Sequence, residues 1–231
     1  MKLVLLPGLD GTGRLFEPFL GVLPSQLSSV IISYPTDQLL SYAELVQFAR
    51  QHLPSDEDYV LLAESFSGPI AIELAAVREK NLKALVLIAS FASSPAFLPQ
   101  ILSLLLFRTS LMLSPPKFVV SRYLLGADAP RDLIEIFRQA TTSVRPDVMA
   151  LRMRSVISVD VRRSFAACQL PILYLRATQD RLVRRRSLVE LQKIRTEMAL
   201  VDVDGPHLLL QREPAKCAEV IVHYLSETFD L

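Results

Sequence analysis

The fold is decided by the stretch Tyr59-Val60-Leu61-Leu62-Ala63-Glu64-Ser65-Phe66-Ser67-Gly68-Pro69-Ile70-Ala71-Ile72. An apolar run typical of a buried strand ends at Ala63, and the apolar spacing of a helix begins at Ile70. Between them, Ser65 stands in a cluster of small residues. A strand, a tight turn and a helix in this order hold a serine hydroxyl at the edge of a sheet, where the next backbone N–H and the helix N-terminus face the same point. The stretch therefore predicts a sheet edge that carries Ser65 as a candidate nucleophile.

Strands and helices alternate along most of the chain. Apolar runs predict six strands, at residues 3–6, 30–32, 59–63, 82–89, 171–175 and 199–203. Helices are predicted after the first strand, at residues 41–53, after the serine turn and at residues 214–225. The run at 82–89 is aliphatic throughout, as expected of a parallel strand that is covered on both faces. The alternation predicts an α/β fold with a doubly wound, mostly parallel sheet and right-handed crossovers.

The alternation lapses between the fourth and the fifth predicted strand. Residues 93–165 are helical in type, are interrupted by prolines and contain no convincing strand. We interpret them as a helical cap that is inserted into a core formed by residues 1–92 and 166–231. The first half of the cap is apolar on nearly all sides, which indicates either burial or contact with a hydrophobic ligand. Core packing accounts for most of these residues, and the candidates for substrate binding are Phe97, Ile101, Leu105 and Met112.

Residues 63–67, Ala-Glu-Ser-Phe-Ser, resemble the Gly-x-Ser-x-Gly nucleophile elbow of the alpha/beta-hydrolase family, with alanine and serine in place of the two glycines. The resemblance extends from the strand at 3–6 to the closing helix, and the cap matches in its position and helical character. It implies a sheet of about six strands that lacks the first two strands of the family. It also implies a serine hydrolase with Ser65 as the nucleophile. Ser67 is the rival nucleophile, but it would put Pro69 where the turn needs a small residue.

A serine nucleophile needs a base, because its proton must leave as the new bond forms, and the base needs an acid that fixes its tautomer. His52 at a helix end and His223 inside the closing helix are interpreted as structural or exposed residues. His207 follows the sixth predicted strand, where a loop can place a side chain over the sheet edge. Its place after Ser65 agrees with the order of serine, acid and histidine in the family. His207 is therefore the candidate base.

The same order requires an acid between Ser65 and His207, just beyond a strand. Asp180 lies there and is followed by Leu182-Val183, which matches the aspartate and aliphatic pair typical of the family. The rival acids are Asp160, Asp202 and Asp204. The first of these belongs to the cap, and the other two are close to His207 along the chain. We therefore predict Asp180 as the acid.

The negative charge that develops on a substrate carbonyl oxygen needs two fixed hydrogen-bond donors. The resemblance implies the backbone N–H of Phe66, which follows the nucleophile, and the N–H of Leu9. Leu9 lies in the loop where the family often has His-Gly-x and this chain has Pro7-Gly8-Leu9. The glycines of this loop could alternatively form a phosphate cradle, but the loop lacks the lysine of a P-loop and the full dinucleotide pattern.

Two charged features have ordinary interpretations. Glu64, beside the nucleophile, is most simply a solvated turn residue, although its charge could influence His207. Arg181 and the arginines at 184–186 are interpreted as a solvated helix start rather than a binding patch.

The composition excludes several classes of protein. The chain has 231 residues, which is enough for one α/β domain with a full core. Its 25 basic and 24 acidic residues nearly balance, so no overall charge points to nucleic acid or to an anionic membrane. Cys168 and Cys217 are too few and too far apart for a disulfide framework or a metal site, and a reduced, cytoplasmic setting is expected. The apolar runs at 3–6 and 97–113 are too short or too interrupted for a signal peptide or a membrane span.

The sequence thus predicts a serine hydrolase that cleaves a carboxylic ester or thioester with a hydrophobic acyl or alcohol part. It implies a small-molecule ester substrate, no metal or organic cofactor, no nucleic acid partner and no stable membrane insertion, and it makes no prediction of the oligomeric state. Two alternatives stay open. One is an acyltransferase that uses the same three residues, and the other is a non-catalytic member of the fold that binds a small hydrophobic ligand.

Overall fold

The computed structural model describes residues 1–77, 79–95 and 117–229, which form a sheet flanked by helices. The sheet has six strands: β1 (Lys2–Leu6), β2 (Ser29–Ile31), β3 (Tyr59–Glu64), β4 (Leu82–Ile88), β5 (Ile172–Ala177) and β6 (Ala199–Val203). Their order across the sheet is β2-β1-β3-β4-β5-β6, and every neighbouring pair is parallel. The predicted α/β class with a parallel sheet of about six strands is confirmed.

The described residues form two 3₁₀ helices, Arg14–Phe16 and Ser65–Ser67, and a π-helix, Val120–Leu125. Their α-helices lie mainly in the connections between strands. They are α1 (Glu17–Leu20), α2 (Tyr42–Gln51), α3 (Gly68–Ala76), α4 (Lys117–Val119), α5 (Arg131–Thr142), α6 (Pro146–Ser158), α7 (Arg162–Ala167), α8 (Arg185–Ile194), α9 (Leu209–Arg212) and α10 (Pro214–Phe229). Helix α2 begins where predicted because Ser41 and Glu44 form a capping box, with bonds of 3.3 Å from the Glu44 N–H to the Ser41 hydroxyl and 2.8 Å from the Ser41 N–H to the Glu44 carboxylate. None of the described helices is long and apolar enough to cross a membrane.

Helices cover both faces of the sheet, and alternate residues of a strand contact different cores. Along β1, Leu3 and Leu5 pack in the core that includes α1 and α10. Val4 and Leu6 pack in the core that includes α2, α3, α7 and α8. All four side chains are fully buried, and the burial of each such side chain is worth about 1.5–3 kcal/mol. Because both faces are covered, the strand reads as a continuous apolar run.

The described part of the segment between β4 and β5 lies partly at the edge where the carboxyl ends of the parallel strands meet. This part forms α4, α5 and α6, as predicted for a helical cap, and α7, which packs through Phe165 in the core that includes α2, α3 and α8. Helix α5 packs through Leu133 on Leu15 and Leu208, which follow β1 and β6, and α6 packs Met149 on Leu9. The boundaries of the cap at 93 and 165 stay a prediction. The candidate substrate-binding residues in the first half of the cap lie outside the described residues: Phe97, Ile101, Leu105 and Met112.

Candidate active site

Ser65 lies on a sharp turn between β3 and α3. Its backbone is in the left-handed region, with a φ of 48°, which costs a residue other than glycine about 1–3 kcal/mol. The turn is held because the Ser90 hydroxyl donates a hydrogen bond of 2.7 Å to the Ser65 carbonyl. A Cβ at Gly68 would lie 1.7 Å from the Ser90 hydroxyl oxygen, so a side chain does not fit there. The glycine that this elbow needs is therefore Gly68, three residues after Ser65.

Ser67 stands where the motif has its second glycine, and its hydroxyl ties the elbow to the loop after β1. The side chain is fully buried. Its Oγ donates to the Pro7 carbonyl and accepts from the Tyr34 hydroxyl at 2.7 Å. Burial raises the pKa of the Tyr34 phenol, so this hydroxyl keeps the proton that it donates. Among the described residues, the hydroxyl of Ser67, the rival nucleophile, thus hydrogen-bonds to Pro7 and Tyr34 and not to a histidine.

Ser65, His207 and Asp180 form a continuous hydrogen-bonded chain. The Ser65 Oγ lies 2.8 Å from His207 Nε2, and His207 Nδ1 lies 2.7 Å from Asp180 Oδ2. An ionised carboxylate can only accept, so Nδ1–H donates to Asp180, and Nε2 is left to accept the serine proton. The histidine and aspartate side chains are each 4% exposed. The structure therefore brings together the three residues that the sequence predicts for the catalytic group.

The loop after β5 holds Asp180 in place. Asp180 Oδ1 accepts the backbone N–H groups of Leu182 at 2.7 Å and Val183 at 2.9 Å, while Oδ2 accepts from His207. Two backbone hydrogen bonds join this loop to the end of β6 and to the segment that leads to His207: the Thr178 N–H donates to the Val203 carbonyl at 3.0 Å, and the Gln179 N–H donates to the Gly205 carbonyl at 2.9 Å. Burial lowers the pKa of His207, but the charge and hydrogen bond of Asp180, together with the charge of Glu64, outweigh burial and raise this pKa. The surroundings thus favour the imidazolium that a proton-accepting base becomes.

The other candidate acids and histidines have different partners. The acids contact polar side chains on the surface: Asp160 pairs with Arg162, Asp202 with Arg176, and Asp204 with Thr178 and Gln179. The two remaining histidines are exposed: His52 lies 2.8 Å from the Phe48 carbonyl and His223 lies 3.4 Å from Glu227. None of these contacts links the residue to Ser65.

The candidate oxyanion donors, the N–H groups of Leu9 and Phe66, lie in neighbouring loops. Strand β1 pairs with β3 so that Leu6 is opposite Ala63, which brings the loops after both strands to the same side. The Phe66 ring is buried and stacks on the Tyr42 ring with 4.8 Å between centroids. Within the described part of the chain, the Leu9 N–H makes no hydrogen bond to a backbone acceptor. The role of both N–H groups as oxyanion donors stays a prediction. Both lie at the carboxyl-end edge of the sheet, which also carries Ser65.

Glu64 is not the solvated turn residue that the sequence indicates. Its side chain is fully buried at the end of β3, where Gln211 Nε2 donates to its Oε2 at 3.2 Å. The other oxygen, Oε1, is buried and has no partner among the described residues. Burial raises the pKa of Glu64 to about 7, against the opposing effects of His207 and Gln211. A signal was present in the sequence, because Glu64 directly continues the buried apolar run of β3.

Ser90 and Arg152 also support the site and were not identified from the sequence. Ser90 follows β4 at the same edge as the predicted residues, so its position could have been found from the strand pattern. Arg152 on α6 is 2% exposed and donates to the backbone carbonyls of Leu9, Asp10 and Pro35. The sequence carries no signal for this role, because the partners are at least 117 residues away along the chain.

The described side chains form no cluster of three or more histidine, cysteine, aspartate or glutamate residues that could hold a metal ion. Cys168 and Cys217 are buried and unpaired. Burial raises the pKa of both thiols, so both favour the neutral form, which is not a nucleophile.

Comparisons with solved structures agree with this fold. A lipase-esterase related protein from Clostridium acetobutylicum is 14% identical, with a TM-score of 0.82 over 96% of this chain and 93% of that chain. The enol-lactonase from Burkholderia xenovorans is 16% identical, with a TM-score of 0.81 over 97% of this chain and 91% of that chain. MenH from S. aureus is 15% identical, with a TM-score of 0.78 over 99% of this chain and 94% of that chain. At these identities the likeness shows the fold.

The search of curated proteins found no match. A model of the alpha/beta hydrolase family matches residues 3–220, which is nearly the whole chain. The parallel sheet and the serine turn at the end of β3 agree with this match. The chain therefore belongs to the alpha/beta hydrolase family.

Proposed function

We propose that the protein is a serine hydrolase that cleaves a carboxylic ester or thioester through an acyl-enzyme. One observation carries the proposal, the hydrogen-bonded chain from Ser65 through His207 to Asp180 with distances of 2.8 and 2.7 Å. A serine, a base and an acid in this arrangement activate the serine for attack on a carbonyl carbon. An ester substrate also agrees with the names of two structures of the same fold, a lipase-esterase related protein and an enol-lactonase.

In the first half of the reaction, Ser65 Oγ attacks the substrate carbonyl carbon while His207 Nε2 takes the hydroxyl proton. The carbonyl oxygen becomes an oxyanion that accepts hydrogen bonds from the N–H groups of Phe66 and Leu9. The imidazolium then gives its proton to the leaving alcohol or thiol as the C–O or C–S bond breaks. Asp180 accepts the hydrogen bond of the His207 Nδ1–H throughout and stabilises the imidazolium. The product of this half is an acyl group on Ser65.

In the second half, water takes the place of the leaving group. His207 Nε2 accepts a proton from water as the water oxygen attacks the acyl carbon. The tetrahedral intermediate collapses, the imidazolium returns its proton to Ser65 Oγ, and the carboxylic acid leaves. The net reaction converts one ester and one water into one acid and one alcohol, or one thioester and one water into one acid and one thiol.

The hydrophobic character of the cap supports a substrate with an apolar acyl or alcohol part. In the described part, Leu125 and Leu133 of the cap pack on Leu208, the neighbour of His207. The candidates Phe97, Ile101, Leu105 and Met112 extend this apolar character in the sequence. Turnover of p-nitrophenyl esters of increasing chain length tests the proposal. We expect a higher kcat/KM for octanoyl than for acetyl esters, and the reverse order would contradict an apolar acyl pocket.

A fluorophosphonate probe, followed by peptide mass spectrometry, tests the nucleophile. We expect the label on Ser65 in the wild type, none in Ser65→Ala and strongly slowed labelling in His207→Ala. Ser55→Ala is the matched control, because Ser55 is exposed in the loop after α2, and it should label like the wild type. A label on Ser67 would contradict the assignment. Absence of label from folded wild-type protein would favour a non-catalytic, ligand-binding member of the fold.

A further inference from the structure

Arg152 is a buried charged side chain whose hydrogen bonds go to backbone carbonyls. It projects from the cap helix α6 and is nearly fully buried. Its Nη1 donates to the carbonyls of Leu9 at 3.1 Å and Asp10 at 2.5 Å, and its Nη2 donates to the carbonyl of Pro35 at 2.9 Å. An arginine stays charged in proteins, so burial of this side chain has a high cost unless its donors are used. The hydrogen bonds to these carbonyls therefore offset the burial of the Arg152 charge.

The loop after β1, residues 7–12, has each of its carbonyl groups occupied. The carbonyls accept as follows: Pro7 from the Ser67 hydroxyl, Gly8 from the Gly11 N–H, Leu9 and Asp10 from Arg152, Gly11 from the Tyr34 N–H, and Thr12 from the Ser33 hydroxyl. Each peptide group is planar, so a held carbonyl fixes the orientation of its whole plane. The Leu9 N–H shares a plane with the Gly8 carbonyl, and Arg152 holds the next two planes. Among these donors, Arg152 alone comes from the cap.

The Arg152 guanidinium packs closely on the loop at Gly11, where a side chain would not fit. A Cβ on Gly11 would lie 2.4 Å from Arg152 Nη1, and Gly11 has a φ of +71°, which favours glycine. The guanidinium carbon also lies 5.7 Å from the centre of the Tyr34 ring, within the range of a cation–π contact. The Tyr34 hydroxyl in turn bonds to Ser67 in the elbow. Arg152 thus contacts both the loop of Leu9 and a residue that supports the elbow.

We propose that Arg152 is a positioning residue that holds, from the cap, the loop whose Leu9 N–H receives the oxyanion. The proposal rests on the proposed function of Ser65. The planar fork of the guanidinium fixes the loop through the carbonyls of Leu9 and Asp10. Helix α6 also packs Val148 and Met149 on Leu9. The position of the cap and the stabilisation of the oxyanion are therefore coupled through α6.

Steady-state kinetics of Arg152→Met and Arg152→Lys on an ester that the wild type cleaves test the proposal. Since the loss of a complete oxyanion donor costs about 100–1,000-fold in kcat, we expect the methionine variant to lose about 10–100-fold in kcat with KM nearly unchanged. Lysine keeps the charge but lacks the fork, so we expect a smaller loss in kcat. Arg154→Lys is the matched control, because Arg154 is exposed on the same helix, and its kcat should equal that of the wild type.

Two further measurements separate positioning from a merely structural role. Titration with the fluorophosphonate probe counts active sites, so kcat is expressed per labelled Ser65. A boronic acid that adds to Ser65 imitates the tetrahedral oxyanion, and its affinity should fall by the same factor as kcat. If Arg152→Met does not fold, the kcat per labelled site and the boronic acid affinity of Arg152→Lys test the proposal.

Three outcomes would overturn the proposal or its basis. A wild-type kcat per labelled site in a folded Arg152 variant would overturn the positioning role alone. A loss confined to KM would do the same, because it would mean that Arg152 binds substrate instead of holding the loop. Wild-type protein that neither cleaves esters nor takes the label would overturn the proposed function and, with it, this role.

Discussion

Replacement of Glu64 by glutamine removes one buried charge and keeps the shape of the side chain. Glu64 is fully buried, and burial raises its pKa from 4.5 to about 7. Below about pH 4.5 the carboxyl is protonated in the folded and the unfolded chain. As pH rises from there, Glu64 loses its proton in the unfolded chain first. The contribution of the protonated carboxyl to the free energy of unfolding is therefore lost as pH rises through 7. At about 1.4 kcal/mol per pKa unit, the folded wild type loses about 3 kcal/mol over this range.

The glutamine variant should escape this loss. We expect the difference in free energy of unfolding between Glu64→Gln and the wild type to shift in favour of the variant by about 3 kcal/mol between pH 4.5 and pH 8. For a chain of this size the shift corresponds to about 6–12 °C in Tm. Urea and thermal denaturation at several pH values measure it. Glu227→Gln is the matched control, because that side chain is 68% exposed, and it should change stability by less than about 0.5 kcal/mol throughout. A difference between Glu64→Gln and the wild type that stays constant with pH would refute the reasoning.

The remaining predictions concern the catalytic group and the elbow. The charge of Asp180 and, after it, that of Glu64 raise the pKa of His207 against the effect of burial, so Glu64→Gln should move the acidic limb of the kcat/KM profile to lower pH; an unmoved limb would argue against this coupling. Asp180→Asn should lower kcat by about 10,000-fold with little change in Tm, because the histidine loses the acceptor that fixes its tautomer, and steady-state kinetics with thermal denaturation check this. Gly68→Ala should destabilise the protein by about 1–3 kcal/mol in urea denaturation, since its Cβ would lie 1.7 Å from the Ser90 hydroxyl oxygen. Ser90→Ala in the same chain should recover part of that loss, and no recovery would contradict the assigned clash.

The strands and several helix limits could be predicted because their causes are local. Leu3 and Val4 point to opposite faces of the sheet, and both are apolar because helices cover both faces. Helix α2 begins after Ser41 because the capping box is complete within four residues. Helix α10 runs to Phe229, four residues beyond the predicted end, because its last turn is more polar than the apolar pattern that predicts the helix.

The candidate site was partly accessible from the sequence for a topological reason. Ser65, Asp180 and His207 each follow a strand, and the carboxyl ends of parallel strands meet at one edge of the sheet. Chain order then selected these residues from their rivals. The distances that join them, and the separate partners of Asp202 and Asp204, come from the folded chain. The catalytic roles of the three residues stay predictions.

By itself, the sequence determined the order of strands and helices, the turn that carries Ser65, and the edge of the sheet at which Asp180 and His207 arrive. These features depend on periodicity and on residues next to each other in the chain. Only the tertiary structure decided that Glu64 is buried, that the extra hydroxyl of Ser67 ties the elbow to the loop after β1, and that Arg152 holds that loop from the cap. In these cases the deciding partner is a segment 60 or more residues away. Burial and hydrogen bonding between such segments exist only after the chain has packed, so no local pattern of residues records them.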